Sequence, residues 1–391
     1  ILAFCGYAAS ALTACVASEP WSATYSASED LSVYDIAHAP GGGYVLTGVA
    51  SDPLTYRKRI LIIGISHIGE LIFMNTLKND RDETAFSVTR TRAGNALLFT
   101  GISTALPEYD RDLFLMTTTL EGELVWMQTY GGKAYDGGAD VIETHDGGFV
   151  AIGSTLSFHE TNREGLWVVK TNAHGKLLWS EIYRESVWSR GAKILETSNH
   201  SLIALGSSGY GTYHNSVWLL RIDSDGQEIW RRSYWETECS DAVDIAQTDN
   251  GFVIAARSYN ENDGHFDICI LRTNEHGHLL WYKTYDLQNG DDLPRSLSVS
   301  YDRSGMVFTG TTNRTGEPPD QRLFLLKTDV HGELLWDRIY GGDLQSAGSS
   351  SMPLLSGGTL IAGQQKTNDG VDLWLLATDA QGYAPSYHDY Q

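Results

Sequence analysis

Short apolar runs separated by polar, glycine-bearing turns recur along most of the chain, and their spacing reads as strands, not helices. In one copy Ala139 to Thr144 leads into the turn His145-Asp-Gly-Gly148. Phe149 to Ser154, a variable loop, Leu166 to Thr171, the turn Asn172-Ala-His-Gly175 and Leu177 to Tyr183 follow, which makes four strands. The run Leu166-Trp-Val-Val-Lys-Thr-Asn-Ala-His-Gly-Lys-Leu-Leu-Trp179 is matched by Val217-Trp-Leu-Leu-Arg-Ile-Asp-Ser-Asp-Gly-Gln-Glu-Ile-Trp230. The pattern returns with Gly277 and Trp281 and with Gly332 and Trp336. Weaker copies carry Gly122 with Trp126 and Gly69 with Phe73, and a last copy has Gly382 without an aromatic. Asp223, Asn274, Asp329 and Asp379 stand three residues before a turn glycine, where a side-chain oxygen accepts backbone N–H groups, so they read as turn residues. Asp223-Ser-Asp225-Gly226 lacks the later bidentate Glu that a calcium loop needs.

The turn glycines at 69, 122, 175, 226, 277, 332 and 382 set a period of 50 to 55 residues, which excludes most helical solenoids. Four-stranded units repeated radially predict an all-β fold, a seven-bladed β-propeller. The last copy ends without its fourth strand, while Trp21-Ser-Ala-Thr-Tyr25 precedes the first copy and matches Trp336-Asp-Arg-Ile-Tyr340. The N-terminal strand is therefore predicted to complete the last blade and close the ring, with the propeller over 21–382 and a tail over 383–391. Trp21, Phe73, Trp126, Trp179, Trp230, Trp281 and Trp336 recur at one place per blade. That regularity predicts an inter-blade core role, not a cofactor or sugar site.

The segment before Trp21 reads differently. Ile1 to Val16 is an uncharged apolar run, short for a membrane span and suited to a secretory signal. Leu12-Thr13-Ala14-Cys15 resembles the lipobox of bacterial lipoproteins. The resemblance implies a signal peptide over 1–14 whose start is missing, a lipidated Cys15, a short tether over 15–20, and an exported chain anchored to the cell envelope by lipid alone.

The repeat, with Asp146-Gly-Gly-Phe-Val-Ala-Ile-Gly153 before its Leu-Trp-Val-Val run, resembles that of exported bacterial and archaeal propeller lipoproteins. It is similar, more distantly, to the tryptophan-docking repeat of pyrroloquinoline-quinone enzymes and to the lipoprotein scaffold of the outer-membrane β-barrel assembly machine. These likenesses imply a fold and not an activity. The adjacent cysteine pair of the quinone enzymes is missing, since Cys239 and Cys269 lie thirty residues apart. The two strand spacings expected between them argue for two free thiols over a disulfide.

Forty-nine acidic against 28 basic side chains give a net charge of −21, which argues against a nucleic-acid partner. In a propeller the a–b and c–d turns share a lower face and the d–a and b–c connections an upper one. The upper loops, such as 154–165, 207–216, 258–266 and 312–322, vary as binding loops do. They carry aromatics beside acids, and Tyr109, Tyr135, Trp188, Tyr210, Tyr213, Trp235 and Tyr259 are the candidate ligand or partner residues. An envelope protein or an extracellular glycan is the expected partner of a monomeric domain. No catalytic residue, metal ligand or cofactor beyond the lipid at Cys15 is assigned. The chain carries no nucleophile elbow, zincin helix, phosphate loop or haem motif, and His159-Glu160 and His200 read as isolated surface residues. The sequence thus favours a binding or scaffold module. The alternative is an exported glycosidase, lyase or quinoprotein-like enzyme working at the mouth of the central channel.

Overall fold

The middle strands of each repeat are apolar on both sides. Every residue of Phe149–Thr155 and of Gly165–Thr171 is buried, because each sheet is covered on both faces by its neighbours in a ring. The computed structural model describes residues 19–39, 41–77, 80–105, 110–158, 163–210, 215–287, 290–313, 321–342 and 344–385. Within them the chain forms seven four-stranded antiparallel sheets. Blades 1 to 6 span 30–76, 82–130, 136–183, 188–233, 239–285 and 292–340. In blade 7, Ser346–Pro353, Thr359–Lys366 and Val371–Ala377 are joined by Trp21–Tyr25 as outer strand. Trp21 stands opposite Ala377 and Tyr25 opposite Leu373, so the chain enters the ring from the face of the c–d turns. The segment 1–14 and Cys15 lie outside the described residues.

The aromatic of each outer strand lies over the c–d turn glycine of the next blade. At Gly175, with φ +75°, an added Cβ would meet the Trp126 ring at 2.7 Å, and at Gly69 it would meet Trp21 at 2.6 Å. Four residues on, a tyrosine hydroxyl donates to the same glycine's carbonyl. Tyr234 to Gly277 is 2.8 Å and Tyr183 to Gly226, Tyr285 to Gly332 and Tyr340 to Gly382 are each 2.5 Å; Tyr25 pairs likewise with Gly69 and Tyr130 with Gly175. Blade 1 has Phe73 and Leu77 at these places and lacks the hydroxyl.

The indoles differ from the sequence reading in one respect: all are half-buried and not core. The outer strand has water beyond it, so one face of each ring meets the next blade while the rest meets solvent or a cation, such as Arg232 over Trp230 at 5.5 Å. The core lies further in, where aliphatics of the middle strands from adjacent blades interlock around Trp218 and Phe99. Cys239 and Cys269 also depart from expectation. They are joined in a buried disulfide with Cα atoms 5.6 Å apart. The strand starting at Cys239 slips register twice, at Cys239/Asp241 and Ala242/Asp244, and such bulges bend a strand out of the flat ladder on which the two-spacing argument relied.

Candidate binding clefts and the channel ring

Every innermost strand carries one extra residue midway, at Tyr34, Phe86, Ala139, Ala192, Val243, Arg295 and Ser349. The bulge turns the following residue toward the next blade. This builds a polar ring around the axis from Asp35, Ser87, Asp140, Lys193, Asp244, Ser296 and Ser350, most of which line an axial cavity of about 470 Å³.

The ring's carboxylates are structural. Asp35 accepts the Val88 amide at 3.0 Å, Asp140 that of Ile194 at 3.0 Å and Asp244 that of Leu297 at 2.8 Å, each from the next blade. Ser87 donates to Asp140 at 2.8 Å and Ser350 to Asp35 at 3.1 Å. Lys193 reaches Asp140 at 3.2 Å. Burial alone would lower the Lys193 ammonium, but Asp140, Asp35 and Asp244 outweigh it and hold the group above its ordinary value. Burial pushes Asp35 up, and Asp244 up to about 6, against the pull of Lys193. Three carboxylates share one ammonium here, and their oxygens are already used in joining blades.

Among the described residues, two clefts open on the upper face. The first, about 630 Å³, lies over blades 3 and 4 and is lined by Tyr135, Phe86, Glu164 and Arg190. Trp188 adjoins it beneath Arg190, whose guanidinium sits 5.1 Å from the indole and 2.8 Å from Glu164. The second, about 550 Å³, lies over blades 4 and 5. Trp235 and Tyr259 line it together with Asn215, Glu238, Asn260 and Asp267. Trp235 is 42% exposed and packs at 5.6 Å on Tyr210, itself 65% exposed, while Tyr259 leans on Phe266. The structure thus divides the aromatics into a Tyr135–Trp188 group and a Tyr210–Trp235–Tyr259 group. Tyr109 and Tyr213 lie outside the described residues, as do His159 and Glu160.

Asp267 leads from the second cleft to Asp286 and Asp292, whose carboxylate oxygens lie within 4.8 Å of one another. Burial, then Asp286 and Asp263, pushes Asp267 up to about 6. Burial pushes Asp292 up to about 7 against the Leu287 amide, which donates to it at 2.6 Å. A carboxyl whose folded value lies above its unfolded one stabilises fully below about pH 4, and that stability is lost as pH rises through the folded value. Asp292→Asn keeps an acceptor for Leu287 and removes the charge. The wild-type unfolding free energy from urea denaturation is expected to fall between pH 5 and 8, and the variant's to fall less, by on the order of 2 kcal/mol. Equal falls in both proteins would remove Asp292 as the cause.

Neither a protein-family model nor a curated protein matches the sequence. Solved structures do. Hydrazine synthase of Kuenenia stuttgartiensis superposes with a TM-score of 0.56 at 12% identity, over 87% of this chain and 94% of that one. The WD40 β-propeller domain of Doa1 gives 0.52 at 13% identity over 91% and 96%. The β-propeller domain of the Trilobed protease from Pyrococcus furiosus, described as having an open velcro topology, gives 0.53 at 9% identity over 93% and 99%. At such low identity these likenesses speak for the fold alone, and the chain is a seven-bladed, all-β propeller closed by its N-terminal strand.

Proposed function

We propose that the protein is a binding module that takes a glycan in the upper cleft over blades 4 and 5 and is held at a bilayer by a lipid on Cys15. One observation carries the ligand class: an exposed Trp235, packed on Tyr210, lines a cleft of about 550 Å³ together with amides and carboxylates. A flat indole covers the apolar face of a sugar ring while Asn215, Asn260 and Glu238 meet its hydroxyls.

The seat on the membrane is supported from the other face. Leu71 with Ile72, Leu124 with Val125, Leu177 with Leu178, and Leu334 with Leu335 begin the outer strands of blades 1, 2, 3 and 6 at the lower rim. They are 48% to 64% exposed, and Ile229 and Leu280 continue the series. An aliphatic rim around the edge where the chain enters suits a surface resting against lipid, within the reach of about 17 Å that five tether residues allow.

A panel of soluble oligosaccharides titrated against tryptophan fluorescence tests the ligand class. Trp235→Ala is expected to weaken the binding that appears by about tenfold or more, with the fold unchanged. Unchanged affinity in the variant, or silence across the panel, overturns the reading. An enzymatic role on the same ligand is favoured by Asp267 alone, a cleft carboxyl whose value near 6 suits a general acid. Shortened products in the same incubations, lost in Asp267→Asn, would establish it.

A further inference from the structure

His200 is not the isolated residue its place in the sequence suggests. The a–b turns of blades 3 and 4 lie side by side on the lower face. They bring His145 and His200 into a stack with ring centres 3.5 Å apart and planes 20° from parallel. Both Nδ1 atoms face one oxygen: His145 Nδ1 is 2.8 Å and His200 Nδ1 3.8 Å from Glu196 Oε1. The Glu196 side chain is only 6% exposed. The His145 amide donates to it at 3.1 Å, and Arg92 from the blade 2 turn pairs with its other oxygen, Oε2. Arg92 therefore fixes the carboxylate so that Oε1 points at the two imidazoles.

The backbone adds a second observation. His200 sits at φ +65°, in the left-handed region, where side chains with a Cβ are disfavoured. The equivalent turn positions in blades 2, 3 and 7 are Gly94, Gly147 and Gly357, each donating to the residue three before it as His200 does to Thr197. Blade 6 has Arg303 there, and its guanidinium reaches Asp249 of the neighbouring blade. Where this turn gives up glycine, the side chain reaches across a blade boundary, and at His200 it meets a second imidazole and a carboxylate.

We propose that His145, His200 and Glu196 form a binding site for a divalent transition-metal ion of the zinc class. Two imidazole nitrogens and one carboxylate oxygen are a known zinc donor set that leaves a fourth position open, and nitrogen donors select such ions over calcium or magnesium. Donors around one tetrahedral zinc stand about 3.3 Å apart. The 2.8 Å contact opens and the 3.8 Å contact closes by about half an ångström each. The site lies on the face opposite the aromatic clefts and stands independently of the proposed glycan binding.

Cobalt(II) alone, titrated into the full untagged chain, is the probe. The expected result is one ion per chain with the intense visible absorption of a tetrahedral centre, displaced by zinc. His200→Gly is the deciding variant. It removes one ligand and gives the left-handed position the residue it prefers, so the fold gains if anything. A loss of cobalt affinity of tenfold or more in His200→Gly and in Glu196→Gln, with Trp235→Ala unaffected, supports the site. Unaltered uptake and spectrum in His200→Gly, or only weak octahedral cobalt in the wild type, overturns it.

Discussion

Deleting the chain through Tyr25 is expected to abolish the cooperative unfolding transition altogether, although it removes no residue of blades 1 to 6. Trp21–Tyr25 pairs along its whole length with Val371–Ala377. Trp21 covers Gly69 and the Tyr25 hydroxyl binds the Gly69 carbonyl in blade 1. Tyr25 and Leu31 share one apolar cluster with Leu373 and Leu375, and Ala23 packs against it. One strand thus joins the two ends of the ring. Without it an edge of blade 7 is bare and blade 1 loses its docked indole, and an unpaired, apolar sheet edge is also a site of aggregation. Folded domains have about 5–15 kcal/mol in hand, and losing a whole strand with its Trp and Tyr falls within that range. A permuted chain in which Trp21–Tyr25 follows Pro385 restores the usual four-residue step from Gly382 to Trp. It is expected to recover the thermal transition seen by circular dichroism. A truncated chain that melts as the full one does would show that the ring does not depend on this closure.

The closure was legible because it rests on a type of residue at a fixed step. Gly, four residues, Trp, and four more to Tyr is a pattern that survives in one dimension, and a missing member at one end with a spare at the other identifies the joint. How much of each indole is covered was not legible, since spacing says which residues meet and not how much water remains. The polar ring around the channel was missed for a different reason. Asp35, Ser87, Asp140, Lys193, Asp244, Ser296 and Ser350 keep the blade period as strictly as the indoles do, but the residue type changes from blade to blade. Position carried the signal there, and aligning the seven copies column by column would have revealed it. The disulfide and the His145–Glu196–His200 group depend on how a bulged strand or two turns bend toward each other. Of the upper aromatics, composition picked out the face, but only coordinates could part Tyr135 from Trp235.

Replacing Lys193 with Met is expected to leave stability nearly unchanged at pH 4.5 and to lower it by about 2–3 kcal/mol at pH 8. Asp35, Asp140 and Asp244 face one ammonium across the axis, and Asp140 touches it at 3.2 Å. Breaking a buried ion pair from one side costs about 3–5 kcal/mol because the partner charge is left uncompensated. Here 27% of the Lys193 side chain is exposed to channel water, so the lower end of that range, reduced further, is the fitting expectation. The sign of the pH dependence follows from the carboxyls. Burial already raises Asp35 and Asp244 above their unfolded values, and removing the ammonium raises them further. Their stabilising contribution is complete below about pH 4 and is lost as pH climbs through the folded values, so the variant loses more than the wild type between pH 5 and 8. Adding Asp140→Asn to Lys193→Met removes the carboxylate nearest the vacated place while its carbonyl oxygen still accepts the Ile194 amide, and part of the loss should return at pH 8. Urea midpoints for the three proteins at pH 4.5 and 8 decide the matter. A penalty in Lys193→Met that is the same at both values would point to lost packing by the lysine stem, and would mean that the ring is held by its hydrogen bonds to backbone and serine without help from the charge.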